Sequence, residues 1–314
     1  MNKFAIVILN WNGVKLLDQF LPAVVNYSAD AKIYIADNAS TDESIAFVTK
    51  NYPNITLLKN SQNLGYAQGY NQALAQVNEP YLCLLNSDIE VTPSWLDAVK
   101  ERFEKQPETG IIQPKILDFK DKTYFEYAGA AGGFIDRFGF PFCRGRVFET
   151  LEKDENQYHS APIFWASGAC MFIRKETFDQ LGGFDPIFFA HQEEIDLCWR
   201  AFNAGIAVWY ESGSTVYHVG GATLNKANAQ KTYLNFRNSL CMMAKNLPSS
   251  QLLPIIFARL CMDGVAGVKF MFEGKFKHLW AVFTSHFGFY ALLPKMLSKR
   301  TGKNKTKYYN RNSV

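Results

Sequence analysis

Three short stretches of this sequence concentrate side chains that could do chemistry. Asn86-Ser87-Asp88 follows the apolar run Tyr81 to Leu85, so a carboxylate and a neutral carbonyl oxygen stand two residues apart at the tip of an extended segment. Such oxygens suit Mg²⁺ or Mn²⁺, which take carboxylate, carbonyl and water and often fill their remaining positions from a substrate's phosphates. The same residue types are also ordinary turn formers. Next, Glu193, Glu194 and Asp196 open a helical segment just after the aromatic pair Phe188-Phe189. Acidic groups there complement the helix dipole. Aromatic neighbours that exclude water can also lift a carboxyl toward the pKa of a general base. Finally, His218 is followed by Gly220-Gly221, which lets backbone and ligand approach closely.

The elements that must position these groups follow from periodicity. Continuous apolar runs at Phe4 to Leu9, Lys32 to Ala36, Ile55 to Leu58 and Tyr81 to Leu85 read as strands covered on both faces. Between them lie helical patterns at Val14 to Tyr27, about Asp42 to Tyr52, Gly69 to Val77 and Pro93 to Lys105. Ser40 with Glu43 three residues on is a capping-box pattern for the second of these. Such alternation with short links makes a right-handed, mostly parallel α/β sheet. Polar clusters at 10 to 12, 37 to 42, 60 to 69 and 86 to 88 each follow a strand. They should converge on one edge, where open α/β sheets bind ligands. The second half predicts strands at Ile111 to Leu117 and Tyr124 to Tyr127, a long loop over the site from Gly129 to Arg146, and a β-like run from Ile163 to Arg174. Helices follow at Lys175 to Leu181 and Gln192 to Asn203, then short strands at Val208 to Tyr210 and Thr215 to His218, and a helix at Tyr233 to Lys245.

With 314 residues, 48% of them hydrophobic, the chain can bury a large core and an appendage. Six cysteines without a C-x-x-C pair imply reduced, packed thiols in a cytoplasmic setting and no zinc cluster. The N-terminal apolar run is too short for a signal peptide. Net charge is +4, yet nine basic residues and no acidic one follow Gly274, leaving 24 basic against 29 acidic upstream. That asymmetry points away from nucleic acid and toward an anionic membrane surface. Leu252 to Phe272 contains Arg259, Asp263 and Lys269, and Leu279 to Leu293 is too short to cross a bilayer. Both suit helices lying in the interface, with packing on the catalytic domain or a homodimer as the alternative.

Together the motifs resemble glycosyltransferase family 2, of the GT-A fold, and most closely its rhamnosyltransferase-like members of bacterial polysaccharide assembly. The resemblance rests on Ile8-Leu9-Asn10-Trp11-Asn12-Gly13, Asp37-Asn38-Ala39-Ser40-Thr41-Asp42, Asn63-Leu64-Gly65-Tyr66-Ala67-Gln68-Gly69-Tyr70-Asn71 and Leu85-Asn86-Ser87-Asp88. It extends through Ser167-Gly168-Ala169-Cys170, Gly182-Gly183-Phe184-Asp185 and Glu193-Glu194-Ile195-Asp196-Leu197, over about residues 1 to 240. It implies an α/β catalytic domain over 1–246, with a nucleotide-sugar half to about 117 and an acceptor half to 246, and an appendage of amphipathic helices and basic tail over 247–314. By the same resemblance Asn10, Asn12, Asp37, Asn38, Asn63, Gly65, Asn86 and Ser87 would bind the nucleotide sugar, and Asp88 and His218 would hold Mg²⁺ or Mn²⁺. Glu194 or Glu193 would be the base, since glutamate stands where the family usually has aspartate, and Trp165, Ser167, Gly168 and Asp196 would face the acceptor. The implied enzyme is inverting and metal-dependent, moving a sugar to a hydroxyl of a glycan or lipid-linked oligosaccharide, peripheral on the cytoplasmic face of the inner membrane. Two other classes share such a fold: a nucleotidyltransferase, disfavoured because no Gly-rich basic loop follows the first strand, and a non-catalytic carbohydrate-binding protein.

Overall fold

The structure, a computed structural model, describes residues 3–220, 228–302 and 304–309. Gly221, Lys303 and Arg311 lie outside the described residues. The first half alternates as its periodicity predicts: β1 (Phe4–Asn10), α1 (Val14–Tyr27), β2 (Ala31–Asp37), α2 (Ser44–Asn51), β3 (Thr56–Lys59), α3 (Gly65–Leu74), β4 (Tyr81–Asn86), β5 (Ile89–Val91) and α4 (Asp97–Lys105). The second half runs β6 (Thr109–Asp118), β7 (Gly133–Ile135), β8 (Pro141–Cys143), β9 (Arg146–Val147), β10 (Thr150–Leu151), β11 (Ala161–Ile163), β12 (Cys170–Arg174) and α5 (Lys175–Gln180). A 3₁₀ turn at Pro186–Phe188, α6 (Glu193–Ala204), β13 (Ala207–His218), α7 (Ala229–Asn246), α8 (Ser249–Phe272) and α9 (Phe276–Ser298) complete it.

The central sheet orders its strands β11-β13-β6-β12-β4-β1-β2-β3, with β5 paired to β13. The pairs β1–β2, β1–β4, β2–β3 and β13–β6 are parallel, while β12 runs antiparallel to β4 and β6. Apolar side chains alternate between two cores, as a strand's period of two requires. From β1, Ala5 and Val7 enter one and Phe4, Ile6 and Ile8 the other.

Register places the site. Asn10 pairs with Asp37 and Leu9 with Asn86, so three polar clusters end at one level. β12 starts beside Leu85, which brings residues 164–169 to the same edge. β13 ends with His218 against Asp118 and Ile89, delivering the histidine there too.

Several local expectations change. Val208 to Tyr210 and Thr215 to His218 are one strand, interrupted by a register shift between Glu211 and Thr215. Ile163 to Arg174 is broken by a loop, because residues 164–169 turn from β11 in the outer sheet to β12 in its middle. Tyr124 to Tyr127 forms only isolated bridges to Leu117 and Lys153, and the Gly129 to Arg146 loop contains the β7–β8 hairpin. Ser40 does not cap α2. Asp42 instead accepts from Ser44 N at 3.1 Å and from Val14 N at 3.1 Å, joining the starts of α1 and α2.

Candidate active site at the carboxyl edge of the sheet

The polar residues that follow β1, β2 and β3 knit their loops together. Asn10 donates to Asp37 Oδ1 at 3.3 Å and to Ser40 Oγ at 3.1 Å, while Asp37 Oδ2 accepts from Ser40 N at 3.0 Å. Asn12 Oδ1 accepts from Thr41 N at 2.7 Å and Asp42 N at 3.3 Å. Asn38 binds Asn63 Oδ1 and the Gly65 carbonyl, both at 3.0 Å, and accepts from Asn60 at 3.1 Å. Asn63 Oδ1 also caps Gly65 N at 3.0 Å. Asn10, Asp37 and Asn38 are thus buried braces for the crevice wall. Asn86 N donates to the Ala169 carbonyl at 2.9 Å, and Asn86 and Ser87 are half-buried at the end of β4.

Asp88 and His218 meet across the β5–β13 pairing, with Asp88 Oδ1 3.3 Å from His218 Nε2. The other ring nitrogen, Nδ1, lies 3.4 Å from Glu126 Oε1 without the alignment of a hydrogen bond. Burial pushes the imidazole down, but the carboxylates of Asp88 and Glu126 outweigh it and raise its pKa to about 10. Glu126 is itself held by Ala128 N, which donates to its Oε2 at 2.6 Å. Sequence reading missed Glu126 because its segment read as an ordinary strand.

Glu193 and Glu194 open α6 after a turn in which Phe189, His191 and Gln192 all have positive φ, at 61°, 69° and 72°. Such a run of left-handed residues is strained and persists only when its surroundings hold it. Here α7 holds it from below: Asn238 donates to the carbonyls of Phe188, Ala190 and His191 at 2.9, 2.9 and 2.8 Å. From α3, Tyr66 N donates to the Phe189 carbonyl at 2.7 Å. A side chain at Gly65, where φ is +70°, would place its Cβ 2.5 Å from that carbonyl, so glycine is required for the two halves to close.

Both glutamates are poorly solvated and each keeps one unpartnered buried oxygen. Burial, reinforced by the charge of Glu194, raises Glu193 well above the carboxylate range. Burial lifts Glu194 to about 7, although backbone N–H groups at the start of α6 pull against it. Glu193 is the deeper of the two, while Glu194 is half-buried and stands beside Gly168. The Gly168 carbonyl accepts from Tyr66 OH at 2.7 Å, and the next residue, Ala169, binds Asn86. The 167–169 loop therefore bridges the Glu194 side to the strand end that leads into Asp88. Tyr66 was not singled out from the sequence, although it sits inside the Asn63 to Asn71 motif.

Ser167 anchors this loop, its hydroxyl donating to the Ala128 carbonyl at 2.9 Å and its backbone N donating to Gln113 Oε1 at 2.8 Å. Trp165 is mostly buried against Gly133, its Nε1 donating to the Phe134 carbonyl at 2.7 Å. Asp196 lies elsewhere than the acceptor side expected for it. It is fully buried, one oxygen bound to Arg200 at 2.8 Å and Lys245 at 2.9 Å, the other to Asn246 at 2.8 Å. A carboxylate so completely paired braces α6 against α7 and has no oxygen left for a ligand. Asp185 joins this network. Burial opposes its ionisation, but Lys245 and Lys299 hold its pKa down to about 2.

A mostly parallel sheet flanked by helices, with a carboxylate–histidine pair and a buried acidic pair at its carboxyl edge, has the architecture of the GT-A fold. The chain belongs to glycosyl transferase family 2, whose family model matches residues 5–182. It is 27% identical over 235 residues to the N-acetylglucosaminyl-diphospho-decaprenol L-rhamnosyltransferase of Mycobacterium tuberculosis, covering 69% of this chain and 76% of that protein. It is 23% identical over 314 residues to the low-salt glycan biosynthesis hexosyltransferase Agl10 of Haloferax volcanii, covering 96% and 94%. Among solved structures, GalNAc-T7 with UDP, GalNAc and Mn²⁺ superposes with a TM-score of 0.60 at 16% identity, over 78% of this chain and 48% of that one. The chain is thus a glycosyltransferase.

Proposed function

We propose that this enzyme transfers a sugar, with inversion, from a nucleoside-diphosphate sugar to a hydroxyl of a lipid-linked glycan on the cytoplasmic face of the membrane. The observation that carries this reading is the link from Glu194, whose pKa is raised, past Gly168 and Ala169 to the end of β4, which leads into the carboxylate–histidine pair of Asp88 and His218. Asp88 and His218 would hold Mn²⁺ or Mg²⁺. Among the described residues no cluster of three or more His, Cys, Asp and Glu could hold a metal. Two protein ligands nevertheless fit an ion that takes its other positions from water and a diphosphate; its binding would displace the proton that Asp88 and Glu126 hold on His218, and the neutral imidazole favours Mn²⁺. When bound, that ion offsets the charge gathering on the leaving diphosphate.

The remaining steps belong to the chain's own residues. Glu194, poised near neutrality, accepts the acceptor's proton as the hydroxyl oxygen attacks the anomeric carbon. Glu193, deeper and held protonated by burial and the charge of Glu194, leaves Glu194 as the base. The loops carrying Asn12, Asn63 and Ser87 orient the nucleotide, with Asn10, Asp37 and Asn38 setting their shape, and the Ser167-Gly168 turn beside Trp165 orients the acceptor. No covalent intermediate is required, so NMR of the product should show the opposite anomer, and retained configuration would refute the scheme. Asp88→Ala should lower turnover at least about a hundredfold. A dTDP- or UDP-hexose is the donor to test first, in view of the rhamnosyl- and hexosyltransferases among the relatives.

A further inference from the structure

α8 and α9 sort their side chains against the rule for a water-facing hairpin. Arg259 and Asp263 of α8 and Ser285 of α9 are buried. Arg259 binds Asp263 at 3.1 Å and Ser239 of α7 at 2.9 Å, and lies 3.5 Å over the Phe140 ring. Facing outward instead are Phe257, Val265 and Phe272 of α8 and Phe276, Trp280 and Phe287 of α9, each more than half exposed, Phe272 at 83%. Between Leu253 and Val268, and again between Leu279 and Pro294, no charged side chain is exposed. Polar groups turned inward and aromatics turned outward is the arrangement of an element solvated by lipid.

The rim fixes which surface covers this face. Lys269, Lys275 and Lys277 are exposed around the turn between the two helices, and the one acid among them, Glu273, is already paired with Lys275 at 2.7 Å. A basic rim beside an aromatic face complements anionic lipid headgroups, whereas a second copy would bring like charges together. No helix among the described residues is long and apolar enough to cross a membrane. We infer that the α8–α9 hairpin lies within one leaflet of an anionic bilayer, its Phe257–Phe287 face in the acyl boundary and its lysines among the headgroups. This deepens the lipid-linked acceptor reading but does not take its evidence from it. The basic tail has another use: Lys299 binds Asp185 at 2.7 Å and Arg300 binds the Ala244 and Leu247 carbonyls at 2.6 Å, folding residues 299–302 and 304–309 back onto the protein. The hairpin also reaches the site, because Gly288 of α9 packs on Tyr233 and Arg237 of α7, the helix whose Asn238 clamps the turn before Glu193.

Flotation of the full-length protein with vesicles of 3:1 phosphatidylcholine and phosphatidylglycerol tests this. Wild type should float, at least about threefold less with phosphatidylcholine alone. A triple variant, Trp280→Ser, Phe283→Ser, Phe287→Ser, should lose at least about tenfold of the binding while keeping wild-type helicity, melting behaviour and transfer to a short-chain, water-soluble acceptor. Wild type that fails to float, a variant that floats as well as wild type, or a soluble dimer that the variant dissociates would each overturn the inference. Because vesicles carry no acceptor, loss of transfer activity with intact flotation would instead count against the enzymatic scheme.

Discussion

Replacing Glu194 by Gln removes one ionisable group from the mouth of α6 while keeping its shape, and its consequences depend on pH in a defined direction. Burial lifts the folded carboxyl from its ordinary 4.5 to about 7. Below pH 4.5 the folded and unfolded chains both hold the proton, so wild type and variant should melt together. Between 4.5 and 7 the unfolded chain releases its proton first, and wild type loses stability as pH rises; above 7 the loss is complete. The difference amounts to roughly 3 kcal/mol in favour of Glu194→Gln, or roughly 5 °C in Tm for a chain of this size. Thermal denaturation followed by circular dichroism from pH 4 to 9 reads it directly. Transfer assays add the functional half: only ionised Glu194 can accept a proton, so wild-type kcat should fall on the acid side of about pH 7 and the variant should be nearly inactive. A variant less stable than wild type at pH 8, or a Tm difference that ignores pH, would refute the buried, raised carboxyl. Near-normal turnover would refute its role as base.

Other outcomes follow from the same geometry. Asn238→Ala removes an amide whose two N–H groups are shared among three carbonyls of the left-handed turn, and should cost roughly 2–4 kcal/mol in urea denaturation, with kcat falling more than KM changes; an unaffected kcat would leave the clamp a purely structural feature. Gly65→Ala must fit a Cβ 2.5 Å from the Phe189 carbonyl at a φ of +70°, and should lower Tm by several degrees and reduce transfer by tenfold or more. Wild-type behaviour would mean that α3 and the turn need not close. Glu126→Gln should weaken Mn²⁺ binding, measured by electron paramagnetic resonance, by about tenfold or more, because a carboxylate behind a metal-bound histidine orients it. Unchanged affinity would remove Glu126 from that site.

The first four strands were legible because each is a continuous apolar run closed by a polar turn, and parallel register then forces Asn10, Asp37 and Asn86 to one edge. The second half was harder to read. β5, three residues long, leaves no periodic signal, and although the apolar run of β12 reads as a strand, its direction against β4 is not written in it. Asp196 looked like part of an acidic site because its partners Lys245 and Asn246 lie about fifty residues away, visible only once α7 packs on α6. Glu126 has no local pattern either, since its meaning comes from His218 arriving on another strand. In the appendage, sequence located the two apolar segments, but only packing reveals that Arg259 and Asp263 turn inward and the aromatics outward.

A crystal of the enzyme grown with Mn²⁺ and UDP, and separately dTDP, bears most directly on the convergence of both halves on one crevice. The expected anomalous peak lies at coordination distance, about 2–2.3 Å, from both Asp88 and His218, with the diphosphate between them and an open approach to Glu194. Manganese bound elsewhere, or a nucleotide walled off from Glu194 by the 167–169 loop, would contradict it.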